Sequence, residues 1–596
     1  MSASRKRSSS GERVEEAVLA AVENYNVAIK DRDAERQATF FAQSHTGSGR
    51  MTKAELLAYL TEEIEQGRDV AKRFVLDDAT VIVDEDTAII DPATLRSPTG
   101  GGAFEIRMKR EADGVWRCES LTGSRSGHET AETARCVRER IAGDPARPGY
   151  HFVVPEGVAM PFDPNGAIYW KGRYHLFYIF QDTRLGRKAD HWGHVSSTDL
   201  LHWVHHPTGL LDGMYSGNCF INKDGVPTIC YHQKGLGNAL AVALDDDLNE
   251  WQKLESNPIT PHTQEGDLHH GRYKSWDPFG WLDGDTYYAI FGGGRPGVAK
   301  SPALDGEWRY VGDLFAHGVE GVSLDEDVSC ADLFALGDKD VLLCISHRLG
   351  CRYYLGVWKD EQFHPESHAQ MSWIDHSFFA PESLVDDKGR RIMWAWIMDE
   401  PQFGVRSQHG WSGTMSLPRE LTLDDNGQLG MDVPEEIKTL RQDSFRKADF
   451  HLPADTDVAV AGVGGNSLEL SIEMEGGENS AYGVKVCVSP DGQEETSIFY
   501  DAREKRLKVD TLKSGPHDTP KAVEAGPLEL KPDERLKLRV FVDRSVVEVF
   551  ANGRQAVARR IYPARPDSVG VRVFSRGAQA HVHTFEAWEM TPANAS

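Results

Sequence analysis

The side chains best placed for chemistry are carboxylates that stand beside proline at the edges of short apolar runs. Asp163 opens Asp163-Pro164-Asn165-Gly166, Asp277 lies in Trp276-Asp277-Pro278, and Glu382 closes Ala380-Pro381-Glu382. A further acidic pair, Glu326-Asp327, precedes Ser329-Cys330-Ala331-Asp332. Two carboxylates in one pocket can divide the roles of nucleophile and proton donor, because burial and neighbouring charge set their protonation states apart. Each alone is also what a turn uses, since Asp-Pro and Asn-Gly are turn-forming pairs. The eight cysteines (118, 136, 219, 230, 330, 344, 351 and 487) lack C-x-x-C spacing. They read as free buried thiols, and no metal or cofactor motif is present.

The elements that must carry these carboxylates are mostly strands. From Gly149 onward, short runs rich in Tyr, Phe, Trp, Val and Ile recur, each closed by Gly, Asp or Asn. Examples are Ala167–Trp170, Tyr174–Phe180, Gly193–Ser196, Thr286–Phe291, Val341–Ser346 and Ile392–Ile397. No helical period interrupts the stretch, which fits a propeller or a very large sandwich. Beyond residue 440 the pattern alternates strictly, as in Leu538–Val542 and Val546–Phe550, the signature of a sandwich strand with one buried face. The start of the chain differs. Val14, Val18, Ala21, Val22, Tyr25 and Ile29 form one helical stripe, and Thr52-Lys53-Ala54-Glu55 predicts a capping box for a second helix. Four strand-like runs follow, over 80–83, 87–90, 103–108 and 115–121.

The predicted architecture is therefore mainly β. A leader (1–11) precedes a small α+β cone-like domain (12–122), a polar linker (123–150), a propeller (151–430) and a C-terminal β-sandwich (440–590). The N-terminal order resembles NTF2-like (SnoaL-like) domains in topology, which implies an accessory or dimer-forming module. A formal charge of −26 argues against nucleic acid or anionic membranes as partners. Met1–Glu12 has no apolar h-region, so a cytoplasmic location is expected.

The middle segment resembles glycoside hydrolase family 32, the invertases, inulinases and levanases. Its motifs stand in the family's order: Asp163-Pro164-Asn165-Gly166, Trp192-Gly193-His194, Tyr215-Ser216-Gly217, Trp276-Asp277-Pro278, Ser329-Cys330-Ala331-Asp332 and Gly410–Leu421. Phe541–Ser545 through Phe550 resembles the family's C-terminal sandwich. The resemblance implies a five-bladed propeller and a retaining two-carboxylate site acting on a β-fructofuranosyl unit. It makes Asp163 the nucleophile and Asp277 the stabiliser of the charge that develops on the sugar ring. Asn165, Gln181 and Ser216 become hydroxyl partners, and Trp192 and Trp411 become sugar-facing aromatics.

Three departures fall on the site. Phe162 stands where the family has Asn, and Trp276 stands where it has a hydroxyl-binding Arg. Ser329 stands where it has the acid Glu, and a serine hydroxyl is too weak an acid to protonate a leaving group. Asp327 or Glu326 is the expected replacement, with Glu382 from the next stretch as another carboxylate that could enter the funnel. A glycoside hydrolase or fructosyltransferase is the leading expectation. A non-catalytic sugar-binding protein on a degenerate propeller is the alternative, and an oligo- or polysaccharide is the partner under either reading.

Overall fold

A computed structural model describes residues 9–42, 52–66, 72–77, 79–96, 102–124, 135, 138–400, 409–424 and 426–593. The chain divides into two compact units, residues 1–140 and 141–596.

In the first unit, α1 (Ser9–Lys30) and α3 (Lys53–Glu65) flank a short α2 (Ala34–Thr39). Thr52 and Glu55 form the reciprocal capping box that the sequence predicts for α3. A five-stranded antiparallel sheet follows over residues 73–124. The stripe of Val18, Val22, Tyr25 and Ile29 packs on Ile90, Ile106 and Met108 from that sheet. One expected boundary needs correction. Helix α1 starts at Ser9, inside the stretch assigned to the leader, because its first turn carries no apolar residue that periodicity could detect. Residues 1–8 of that leader lie outside the described residues.

The second unit contains, among its described residues, five antiparallel sheets over 164–205, 214–261, 278–313, 329–370 and 378–432. Their first strands touch in a closed ring: blade 1 (inner strand Pro164–Trp170) on blade 2 (Met214–Ile221), then blade 3 (Pro278–Asp283), blade 4 (Ser329–Leu336), blade 5 (Phe378–Val385), and back to blade 1. This is a five-bladed propeller. The burial explains the sequence pattern: inner strands are covered on both faces and read as continuous apolar runs, whereas outer strands such as Trp203–His205 are partly exposed. The ring is closed by main chain from its two ends, where Met415 N donates to Phe152 O at 2.8 Å and Val154 N to Gly413 O at 3.2 Å.

Two six-stranded sheets over residues 441–590 form the sandwich, with Leu470, Ile472, Val484, Val540 and Val573 in the layer between them. The end of the predicted linker is not a loose tether. Asp543 of the sandwich accepts from the backbone N–H of Gly149 (2.6 Å), Tyr150 (2.8 Å) and His151 (2.8 Å). Ser545 Oγ donates to the carbonyl of Ala146, and Arg544 donates to that of Arg147. Turn chemistry could not reveal this, because each of these donors finds its partner between 392 and 399 residues away.

Candidate active site

Residues at the starts of the inner strands of four blades meet: Ser216 and Cys330 both reach Asp163, and Cys330 reaches Asp277. Asp163 immediately precedes the inner strand of blade 1 and Asp277 that of blade 3. Ser216 lies early in blade 2, and Ser329 and Cys330 open blade 4. The strands do not run in smoothly. The ladder slips at Asn165/Ile168, Met214/Asn218, Ser329/Asp332 and Phe379/Glu382, the bulges of four blades. Each bulge carries a residue with left-handed backbone: Gly166 (φ 54°), Tyr215 (φ 62°), Cys330 (φ 49°) and Ala380 (φ 52°). A bulge turns a side chain that a regular strand would send between the blades.

Cys330 joins the two carboxylates: its Sγ lies 3.9 Å from Oδ2 of both Asp163 and Asp277, and its backbone N–H donates to Asp277 Oδ2 at 3.1 Å. Ser216 Oγ donates to Asp163 Oδ2 at 3.0 Å, while Asp163 Oδ1 is buried and has no hydrogen-bond partner among the described residues. Burial pushes the Asp163 carboxyl up to about 6, opposed by the Ser216 hydrogen bond and the charge of His347 and aided by the charge of Asp190. Burial, and next the charge of Asp163, push Asp277 up to about 7. Two like charges this close ionise in coupled steps, so near neutrality the pair tends to hold one proton.

Beside the pair lies a cavity of about 240 Å³ lined by Lys274, Trp276, Gly293, Gly294, Asp327, Ser329 and His347. Trp276 stacks on Tyr215 at 4.1 Å and forms part of its wall. Asp327 Oδ1 accepts from Ser329 Oγ at 2.8 Å, and Asp327 Oδ2 faces His347 Nδ1 at 2.5 Å. Burial raises Asp327, but the hydrogen bonds of the His347 side chain and backbone, and then of Ser329, outweigh it and hold the carboxyl below its ordinary value.

Family models decide what this geometry belongs to. The model described as the glycosyl hydrolases family 32 N-terminal domain matches residues 151–432, and the family 32 C-terminal model matches residues 436–589. The chain belongs to glycosyl hydrolase family 32. Among relatives of this family 32 chain, the sucrose-6-phosphate hydrolase of Zymomonas mobilis is 27% identical over 511 residues, covering 76% of this chain and 94% of the relative. The levanase of Bacillus subtilis is 28% identical over 498 residues, covering 75% of this chain and 71% of its own. The crystal structure of fructan 1-exohydrolase IIa from Cichorium intybus superimposes with a TM-score of 0.66 over 76% of this chain and 98% of that one, at 23% identity, and shares the fold.

Several residues expected at the family 32 site are placed elsewhere. Trp192 is fully buried between blades 1 and 2, where the Cβ-less faces of Gly166, Gly213 and Gly217 admit its indole. Trp411 is buried too, donating to Asp144 at 2.8 Å with the Arg560 guanidinium over its ring. Both face protein, and neither faces the carboxylates. Phe162 packs edge-on against Trp396. Asn165 is buried behind the site and accepts from Gly217 N at 3.3 Å. Glu382 sits further along the channel, accepting from Ala167 N at 2.9 Å in a separate cavity of about 260 Å³ shared with Asp332 and Arg391. Glu326 is turned away from the pair: Ser346 and Arg348 each donate to it. Burial raises its carboxyl, but those two bonds outweigh it and hold the group low.

Gln181 donates to Asp190 at 2.8 Å, and Asp190 acts through its charge on Asp163. Asp190 and His347 were not singled out by sequence. In the folded blade the antiparallel register that pairs Ser329 with Ile345, carried two residues outward, sets Asp327 opposite His347. No motif marks it. The seven described cysteines are free and buried, and Cys136 lies outside the described residues.

Proposed function

We propose that the protein hydrolyses β-fructofuranosides with retention of configuration, using Asp163 as nucleophile and Asp277 as stabiliser of the ring charge. The observation that carries this reading is the carboxylate pair at the convergence of the inner strands. One oxygen of Asp163 is fixed by Ser216 and the other has no hydrogen-bond partner among the described residues. An oxygen so placed can attack an anomeric carbon, and a second buried carboxylate can accept ring hydroxyls while positive charge builds on the sugar. Trp276, stacked on Tyr215, offers an aromatic face to the sugar. The names of the relatives, sucrose-6-phosphate hydrolase and levanase, support a sucrose-like or fructan substrate.

The test is release of fructose from sucrose, inulin and levan by the wild type and by Asp163→Ala. Loss of about 10⁴-fold or more in kcat is expected for the variant on any substrate the wild type cleaves, and retained activity would reject the nucleophile. Ser329 in the acid position favours a second reading, a sugar-binding propeller without turnover. Calorimetric binding of these saccharides with no product released would establish it. Product analysis at high sucrose concentration separates transfer from hydrolysis, since only transfer lengthens the acceptor.

No described helix is long and apolar enough to cross a membrane. We assign the N-terminal unit an accessory role, dimer formation. Light scattering of the full chain checks it, and a monomer mass rejects it.

A further inference from the structure

The two acidic residues nearest the position of the missing Glu cannot do its work. A general acid must carry a proton at the start of the reaction, and Glu326 and Asp327 are both held ionised by the cations and hydroxyls that bond them. The cavity beside Ser329 is nevertheless not empty of donors. His347 reaches it from the turn that follows the second strand of blade 4. Its Nδ1 faces Asp327 Oδ2 at 2.5 Å, its backbone N–H donates to the same oxygen at 3.1 Å, and Asp327 is in turn fixed by Ser329 Oγ at 2.8 Å. The serine thus braces the carboxylate that orients the histidine.

We propose that the imidazolium of His347, oriented by Asp327, is the proton donor to the leaving group. This rests on the assignment of Asp163 as nucleophile. In the first half-reaction, Asp163 attacks the anomeric carbon, the bond from that carbon to the leaving oxygen breaks, and His347 passes its Nε2 proton to that oxygen, so that the alcohol departs neutral. In the second half-reaction, neutral His347 takes a proton from water as the water oxygen attacks the same carbon. The ester to Asp163 breaks and the imidazolium is restored. Atoms and charge balance without a further reactant.

The surroundings favour the charged ring. The hydrogen bond to Asp327 raises the His347 imidazole above its ordinary value against its partial burial, with the charges of Asp327, Asp277 and Asp163 adding to it. Lys274 also lines the cavity, the Phe379 ring lies edge-on to the imidazole at 6.2 Å, and His376 Nε2 contacts the His347 carbonyl at 3.0 Å. Asp327 acts as a positioning residue: an ionised carboxylate on Nδ1 fixes the ring and stabilises its charge, the division of labour that a buried aspartate has in other histidine-based sites.

The experiment compares the wild type, His347→Gln, Asp327→Asn and Asp163→Ala on sucrose and on 4-nitrophenyl β-fructofuranoside, whose phenolate leaves without being protonated. Loss of the acid is expected to lower kcat/KM of His347→Gln on sucrose by about 10²–10⁴-fold and by less than about tenfold on the nitrophenyl substrate. The same variant should lose the basic limb of the wild-type pH profile, and azide should speed its turnover of the nitrophenyl substrate. Asp327→Asn should move that basic limb to lower pH, which a merely structural defect would not do. Equal losses on both substrates, or sucrose activity within threefold of wild type, overturn the assignment of His347 while leaving Asp163 standing if Asp163→Ala is inactive. A wild type inactive on every fructoside overturns both. Far-UV circular dichroism melts of each variant confirm that the comparison is between folded proteins.

Discussion

At the scale of single residues, the site is a place where the fold holds charge it would be more stable without. Asp277 is buried beside Asp163 and its carboxyl stands near 7, far above the ordinary range of an unfolded chain. A carboxyl raised by folding stabilises the native state below its unfolded value and loses that contribution as pH climbs through the folded value. Replacing Asp277 with Asn should therefore abolish turnover yet raise the melting temperature at pH 8. The gain is on the order of 1–4 kcal/mol and should shrink steadily as the pH is lowered to 5. Thermal melts across that range check it, and a destabilised variant at pH 8 would refute it. The acid limb of kcat/KM follows from the same pair. Asp163 must be ionised to attack, so activity should fall below about pH 6, while the limb at higher pH belongs to the group that gives up the proton.

Residue type does not single out Asp163 and Asp277, since Asp-Pro alone is a turn; it is the ordered strings around them that mark them as the proposed pair, and the fold brings both to Cys330. The resemblance alone does not place Trp192 and Trp411, which pack against protein, because a large aromatic beside a strand serves a core as well as a sugar. For Trp192 the three glycines that make room for the indole lie over about 50 residues of sequence and meet only in three dimensions.

At the scale of elements, the strands do more than fill blades. The bulges at the starts of the inner strands re-aim Ser216 and Cys330, and they depend on backbone that tolerates close approach. Gly217 is the clearest case: a Cβ there would lie 2.1 Å from the Cys230 carbonyl oxygen, and a backbone atom cannot swing aside. Gly217→Ala should cost about 1–3 kcal/mol, and it should also reduce kcat, because the adjacent Ser216 would lose its 3.0 Å bond to Asp163. Urea unfolding and steady-state rates test the two halves separately, and an unchanged midpoint would contradict the crowding argument. The strands themselves were legible, since aromatic and β-branched runs closed by Gly and Asp recur along the blades. Helix α2, only six residues long, was not, because a segment that short has too few turns to show a period. The bulges were equally hidden, since their left-handed positions are held by Tyr215, Cys330 and Ala380, whose types announce no turn.

At the scale of the second unit, the sandwich acts on the propeller at its seam. Glu548 accepts from Leu417 N and Arg419, both in the closing motif, and faces His151 Nε2 at 3.3 Å, while Asp543 faces His151 Nδ1 at 2.9 Å. All four of these side chains are buried. Removing one member leaves the others uncompensated, so Asp543→Ala should cost about 3–5 kcal/mol and affect the propeller as much as the sandwich. Denaturant titration followed by tryptophan fluorescence, which reports chiefly on the blades, is the measurement. A midpoint unchanged from wild type would show the seam to be held by other contacts. The closing end of the propeller segment was visible as the Gly410–Leu421 motif, and its start as the change of pattern at Gly149. That Asp543 and Glu548 serve to join them was not, because neither the distance nor the partner is written locally.

That seam also determines how the unit comes apart. A ring whose entering segment at His151 and closing motif at Leu417 and Arg419 are pinned by the same buried Glu548 has no end from which to fray, and the sheet that supplies this carboxylate cannot leave without stranding its partners. Calorimetry of the heated protein should accordingly record propeller and sandwich as one heat-absorption peak, with calorimetric and van't Hoff enthalpies in agreement for residues 141–596 as a single cooperative block. Two resolved peaks from this block would mean that the blades can persist after the sandwich has melted.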